Sequence, residues 1–274
     1  MSEDNKTFEE IFEELARHND RSVIWNDFLD YAIEVNLLTL AKDQGNEFKK
    51  NYHGNEEAYA DLMEAWLNEL SLKLEKYPYY DILGEFYEKL VTSKVKSSQM
   101  GQFFSPVCVS ELVNGLVHND IENTNVKNKI ANDPACGSAR MLLEAHVKSK
   151  GEMFCLGEEL EGTAARMAVL NFFSHGVRGS ILQIDTLTRE WFNGWRVNRY
   201  LYHGVPIPHI EIIHNENEAL DFIELNRLNH DNVDLSLIDN DNINDGDDEF
   251  VLENNDKAIV ESTVKNQSVQ STLI

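Results

Sequence analysis

The chain has 274 residues, is 42% hydrophobic and carries a formal net charge of −24. That is enough apolar content for one medium domain plus a smaller one. No apolar run approaches the length of about 18 residues that a membrane span needs, and the acidic start Met1-Ser2-Glu3-Asp4-Asn5 is not a secretory signal. The acidity excludes a chain built as a whole to grip nucleic acid, because phosphate contacts need a basic surface. Cys108, Cys136 and Cys155 have neither metal-ligand spacing nor a disulfide framework, so a reduced, cytoplasmic protein without a membrane partner is expected.

Residues 1–98 are predicted to be helical. Trp25, Phe28, Leu29, Ala32 and Ile33 recur at i, i+3, i+4 spacing, as do Tyr59, Leu62, Met63, Trp66, Leu67 and Leu70. Ile82, Leu83, Phe86, Tyr87 and Leu90 make a third stripe. Each marks an amphipathic helix with one face to bury, so the aromatics are read as core rather than as stacking platforms for bases. Lys89, Lys94 and Lys96 are the candidates for a local basic face, with a solvated helix end as the plainer alternative.

Residues 99–214 alternate helix and strand. A helix through Val109, Leu112, Val113, Leu116 and Val117 precedes strands at 128–133, 153–157 and 180–184, with helices at 138–148 and 161–174 between them. The alternation predicts a parallel sheet. Ligands in such sheets sit at the carboxyl ends of the strands, where Asp133, Glu159 and Asp185 fall. The segment Val205–Ile213 is predicted as an edge strand, since Pro206 and Pro208 bar it from a central position.

Residues 215–274 form an acidic tail. From Glu216 onward there are 15 acidic and 3 basic residues, a net of −12 and half the charge of the whole chain. Too few apolar residues interrupt them for independent folding. The Asp/Asn/Gly run 239–249 does not meet the EF-hand register, so no metal site is assigned.

Two segments carry chemistry. Asp133-Pro134-Ala135-Cys136-Gly137-Ser138-Ala139 joins a predicted strand to a helix through a small-residue turn, the form of a nucleotide or cofactor cradle. Gly101-Gln102-Phe103-Phe104-Ser105-Pro106 lies about thirty residues earlier. Together they resemble the G-[EQ]-[FY]-[FY]-[TS]-P and D-P-A-C-G-S-G motifs of DNA adenine-N6 methyltransferases, above all the modification subunits of type I restriction-modification systems. Asp81–Glu88, Leu156–Leu160, Arg166-Met167 with Asn171 and His175-Gly176, and Ile184–Leu187 are similar to further family segments, in the family's order, over roughly residues 79–190.

The resemblance implies a partial Rossmann-like, S-adenosylmethionine-dependent methyltransferase fold over 99–214, behind a shortened N-terminal helical region used for subunit contact and DNA approach. It implies S-adenosylmethionine as cofactor. A ribose diol would be held by Glu159, the adenine amino group by Asp185, and the methionine ammonium by Asp133. Gly137 and Ser138 would let the backbone close over the cofactor. Phe103, Ser105 and Pro106 match the motif that touches adenosine and its carboxylate end. Ala139 stands where the family has Gly and adds a methyl near the ligand. Asn171 and His175 are read as helix-end packing and capping.

The family's chemistry then runs out. Adenine N6 is a poor nucleophile, and the family positions it with [DN]-P-P-[YFW], whose aromatic stacks on the flipped base. The five prolines of this chain, at 78, 106, 134, 206 and 208, are never adjacent, so that motif is absent and no catalytic residue is assigned. The expectation is an S-adenosylmethionine-binding member of the family that is catalytically incomplete alone. Restriction-modification partner subunits would supply the missing motif, and DNA would be met weakly or through a partner. The rivals are a non-enzymatic acidic regulator or interaction module on a mobile element, and a decaying gene fragment.

Overall fold

The structure, a computed structural model, describes residues 6–37, 52, 55–92, 126, 129–202 and 205–219. The predicted helix at 109–117, the Gly101–Pro106 segment, Lys94, Lys96 and the tail beyond 219 lie outside the described residues.

Helix α1 (Phe8–Leu15) starts on a capping box: the Glu10 amide donates to the Thr7 hydroxyl, and the Thr7 amide donates to the Glu10 carboxylate. Helix α2 (Arg21–Glu34) is capped by Asp20, which accepts from the Ser22 and Val23 amides. Helix α3 (Glu56–Leu74) and the short α4 (Ile82–Phe86) follow, and α4 continues as a π-helical turn over Tyr87–Val91. Their stripes meet in an aromatic core. Phe8 stacks on Phe86 with centroids 4.4 Å apart, and Phe28 lies edge-on to Phe8 at 5.2 Å. Trp25, Phe28, Tyr59 and Trp66 are buried, each such side chain contributing about 1.5–3 kcal/mol through burial. Leu67, part of the predicted stripe, instead stands on the exposed side of α3.

The sheet is built by β1 (Ile130–Asp133), α5 (Arg140–Lys148), β2 (Phe154–Glu159), α6 (Gly162–His175) and β3 (Gly179–Asp185), then by β4 (Glu190–Val197), the two-residue hairpin strands β5 (Leu201–Tyr202) and β6 (Val205–Pro206), and β7 (Ile210–Ile213). Its order is β1-β2-β3-β4-β7. The first three strands are parallel, and β4 is antiparallel to both β3 and β7. The expected parallel sheet is therefore a mixed one. Strand β4 lies outside the predicted strands: its residues Glu190, Phe192 and Asn193 are exposed, and the turn before it carries Thr and Arg in place of Gly or Pro. The predicted edge strand is found at Ile210–Ile213, and both prolines fall outside its ladder.

Successive strand residues serve two faces. Ala131, Cys155, Ile181, Trp195, Val197 and Ile210 join the core shared with α5, α6 and the N-terminal helices. Ile130, Leu156, Leu182, Ile184, Trp191 and Ile213 form a smaller cluster on the other face with Ala219. Residues 215–219, which begin the acidic segment, are packed here: Asn215 caps a helical turn, Glu218 pairs with Arg196 at 3.2 Å, and Ala219 is buried. Helix α2 is bound to α6 by Arg166, which contacts Asp30 and Asn26 at 2.6 Å each.

Candidate cofactor site

Asp133, Glu159 and Asp185 are the last residues of β1, β2 and β3. Because these strands are adjacent and parallel, residues far apart in sequence arrive along one edge of the sheet. Glu159 is the middle one. Its Oε2 accepts the Gly137 amide at 2.8 Å and its Oε1 the Glu161 amide at 2.9 Å. Each oxygen keeps a second lone pair.

The turn between β1 and α5 begins with Asp133 Oδ1 accepting the Ala135 amide at 3.1 Å. The Cys136 amide then donates to the Glu158 carbonyl at 3.0 Å. Gly137 and Ala139 both have left-handed backbone, with φ 56° and 70°. For Ala139 that conformation costs about 1–2 kcal/mol. Its methyl is fully buried in the protein core. The methyl expected near the ligand is thus turned into the core and adds no exposed surface to the turn. Ser138 is buried too and turns its hydroxyl inward, donating to Asp81 Oδ2 at 2.5 Å.

The turn packs on β2 through Cys136. A Cβ on Gly157 would lie 2.8 Å from Cys136 Sγ and 2.8 Å from Ile181 Cδ1, so a side chain there would push Cys136 and the turn away from β2. Beyond β3, Asp185 Oδ1 accepts the Leu187 and Thr188 amides at 2.9 and 3.1 Å, forming the turn into β4. Thr186 donates its hydroxyl to the Pro134 carbonyl at 2.8 Å, tying that turn to the first one. Leu160 and Leu187, just past the ends of β2 and β3, are exposed apolar side chains beside these acids.

The electrostatics follow from the crowding of acids. Burial pushes the Asp133 carboxyl above its ordinary range. Cys136 is raised well above the usual thiol range, first by burial and then by the charges of Glu159, Asp133 and Glu158. Asp185 is held below its ordinary range by the Thr188 and Leu187 amides. The site is a region of negative potential that favours a cationic or donor-rich ligand. Among the described residues no cluster of His, Cys, Asp and Glu is placed to hold a metal ion.

Of the predicted site residues, Asp133, Gly137 and Glu159 come together, and Asp185 joins them through Thr186. Ser138 is present but faces inward. Phe103, Ser105 and Pro106 lie outside the described residues. Sequence reasoning missed Asp81 as a partner of the turn, and the structure corrects Asn171: it is fully buried and donates to both Asp81 Oδ1 and the Ser138 carbonyl at 2.8 Å, in a buried polar cluster rather than a helix cap. The signal available was a polar residue amid the apolar run Ala168-Val169-Leu170-Asn171-Phe172.

The sequence model of the N-6 DNA Methylase family matches residues 79–222, more than half of the chain. Two relatives from Methanocaldococcus jannaschii are similar over about a hundred residues. The type I restriction enzyme MjaVIII methylase subunit is 33% identical over 102 residues, which are 36% of this chain and 16% of that protein. The type I restriction enzyme MjaVII methylase subunit is 35% identical over 103 residues, which are 36% of this chain and 17% of that protein. The match thus spans about a sixth of the relatives' length. No solved structure matches the chain. A five-strand mixed sheet whose first strand opens into the Asp133–Ala139 turn accords with a partial methyltransferase fold, and with the family match running across that turn, all three acids and the buried Asn171, the chain belongs to the N-6 DNA Methylase family.

Proposed function

We propose that the chain binds S-adenosylmethionine at the carboxyl edge of β1–β3 and is catalytically incomplete alone. The observation that carries this is the carboxylate ending each of three adjacent parallel strands, with the glycine turn hydrogen-bonded to the middle one. The donor set suits the cofactor. The free lone pairs of Glu159 match the two hydroxyls of a ribose. Asp133 keeps one oxygen without a hydrogen bond among the described residues, available to an ammonium. Asp185 stands at the adenine end. Gly137 and the turn around Ser138 bring backbone close to the ligand, and Phe103, Ser105 and Pro106 complete the set. When bound, S-adenosylmethionine supplies an electrophilic methyl on a sulfonium.

A partner chain supplies what is missing. No two prolines are adjacent, so the segment that would hold adenine N6 is absent. In a doubly wound sheet the first strand lies between the second and the fourth, whereas here β1 is the edge strand among the described residues. The similar proteins are subunits of type I restriction enzymes, which makes restriction-modification subunits the expected partners in the cytoplasm. With a net charge of −24, the chain meets DNA weakly or through that partner.

Titration calorimetry with S-adenosylhomocysteine tests the cofactor. Binding is expected, and Glu159→Ala should weaken it more than tenfold, since a hydrogen bond to a charged group contributes about 1.5–3 kcal/mol. No heat at millimolar ligand with folded protein would end the cofactor assignment and favour the acidic interaction module. Incubation with labelled cofactor and mixed DNA should leave adenine unlabelled, and labelling by this chain alone would overturn its incompleteness.

A further inference from the structure

The geometry points to Asp81 as the positioning residue that holds the Cys136–Ala139 turn in its ligand-ready shape from the far side of the fold. Asp81 precedes α4, and its side chain is 1% exposed. Oδ1 accepts the Gly84 amide at 2.9 Å and Asn171 Nδ2 at 2.8 Å. Oδ2 accepts the Ser138 hydroxyl at 2.5 Å and Arg140 Nη2 and Nε at 2.9 and 3.2 Å. One carboxylate thus joins a helix start, the turn, the first residue of α5 and the middle of α6, across 57 and 90 residues of sequence.

The turn needs such a hold. Ser138 sits between two left-handed residues, one of them Ala139, where that backbone is disfavoured. Ser138 is gripped twice, its hydroxyl by Asp81 and its carbonyl by Asn171, which Asp81 itself orients. With Ser138 fixed, the neighbouring Gly137 amide reaches Glu159. Arg140 balances the buried charge, and the same segment is anchored alongside by the Tyr80 amide on His175 Nε2 at 3.2 Å. Asp81 touches no part of the carboxylate edge. It acts through the turn, so its loss loosens Gly137 and the cofactor affinity together.

This inference rests on the cofactor assignment, and the test separates the two. Amide hydrogen exchange on the ligand-free full chain reads the turn, and calorimetry with S-adenosylhomocysteine reads the site. Asp81→Ala should speed exchange across 134–140 at least tenfold and weaken binding at least tenfold. Asp81→Asn, which keeps one acceptor, should fall between it and the wild type. Gly84→Ala is an independent probe should Asp81→Ala not fold: a Cβ there lies 2.3 Å from Asp81 Oδ2, so it displaces the carboxylate without removing it, and the same paired signature is expected. Arg166→Met is the control. It breaks a comparable polar link between α2 and α6 away from the turn and should lower the melting temperature while leaving affinity unchanged. Wild-type affinity in Asp81→Asn and Gly84→Ala would overturn the inference and leave the cofactor assignment standing. If the wild type binds nothing, the cofactor assignment falls, and exchange across 134–140 alone decides: acceleration supports Asp81 as the hold, and unchanged exchange refutes it.

Discussion

The two halves of the sheet put the same kinds of residue to different ends. In the parallel half, β1 to β3, every strand finishes at the same edge, so Asp133, Glu159 and Asp185 assemble there although 52 positions separate the first from the last. In the antiparallel half the chain reverses through the turn at 186–189, and it is the start of β4, at Glu190, that lies opposite Asp185. Parallel pairing gathers distant residues into a site. Antiparallel pairing joins neighbours and here extends the core through Trp195, Val197 and Ile210. The parallel half depends on tight backbone approach, whereas the antiparallel half rests on side-chain packing and surface ion pairs.

The largest effect that tests this contrast is at Gly179. A Cβ there would lie 2.2 Å from the Cys155 carbonyl oxygen of the paired strand. Backbone cannot yield as a side chain can, so Gly179→Ala should cost more than about 4 kcal/mol and leave no cooperative thermal unfolding. A melting temperature close to wild type would show that the parallel pair tolerates separation.

Next in size is a dependence on pH. His146, near the end of α5, is held down to about 4 by burial and then by His175. His175, closing α6, is also lowered, by burial, despite the opposing hydrogen bonds to Asn171 and Tyr80 and the charge of Asp81. His209, in the antiparallel half, is lowered by burial as well. Each takes up its proton less readily when folded than when unfolded. Stability is therefore full above about pH 6.5 and falls as the pH drops from there toward 4, by about 3 kcal/mol from His146 alone. Urea unfolding at pH 7.5 and 5 reads this. His146→Gln should flatten much of the slope, and an unchanged slope in that variant would mean the imidazole is solvated.

Smaller effects belong to the antiparallel half. A Cβ on Gly194 would meet the Trp191 ring at 2.6 Å, with Ile213 Cβ at 3.0 Å. A side chain at the sheet's outer part can shift, so Gly194→Ala should cost about 1–3 kcal/mol, well below Gly179→Ala in the same denaturant series. Equal losses at the two glycines would erase the distinction between backbone and side-chain packing. The smallest change is expected at Glu216, which pairs with Arg189 at 2.9 Å from a partly exposed position. Glu216→Ala should cost at most about 1 kcal/mol, reduced further in high salt. A salt-independent loss of several kcal/mol would make the pair part of the core.

Much of the architecture was legible because it is local. Periodicity marked α2, α3 and α4, β-rich runs between helical stretches marked β1 to β3, and the order of short motifs carried the family. The strand-end acids were legible for the same reason, since a parallel topology follows from alternation and puts strand ends together. Strand β4 was not, because three of its eight residues are exposed and its turn lacks Gly and Pro. Leu67 belongs to the predicted stripe, yet among the described residues no helix covers that side of α3.

What the amino-acid order by itself determined is the set of helices and parallel strands, the small-residue turn, the absence of an Asn-Pro-Pro-aromatic segment and the acidity of the chain. Only the tertiary structure decided that the sheet is mixed, that β1 ends it among the described residues, and that Ser138 and Ala139 face the core. The same holds for Asp81 and Asn171. Their types say only that they are polar. Burial removes water, and a buried carboxylate must then find donors wherever the fold brings them, here from Gly84, Ser138, Arg140 and Asn171. Such partners are set by packing among segments distant in sequence, which no local pattern encodes.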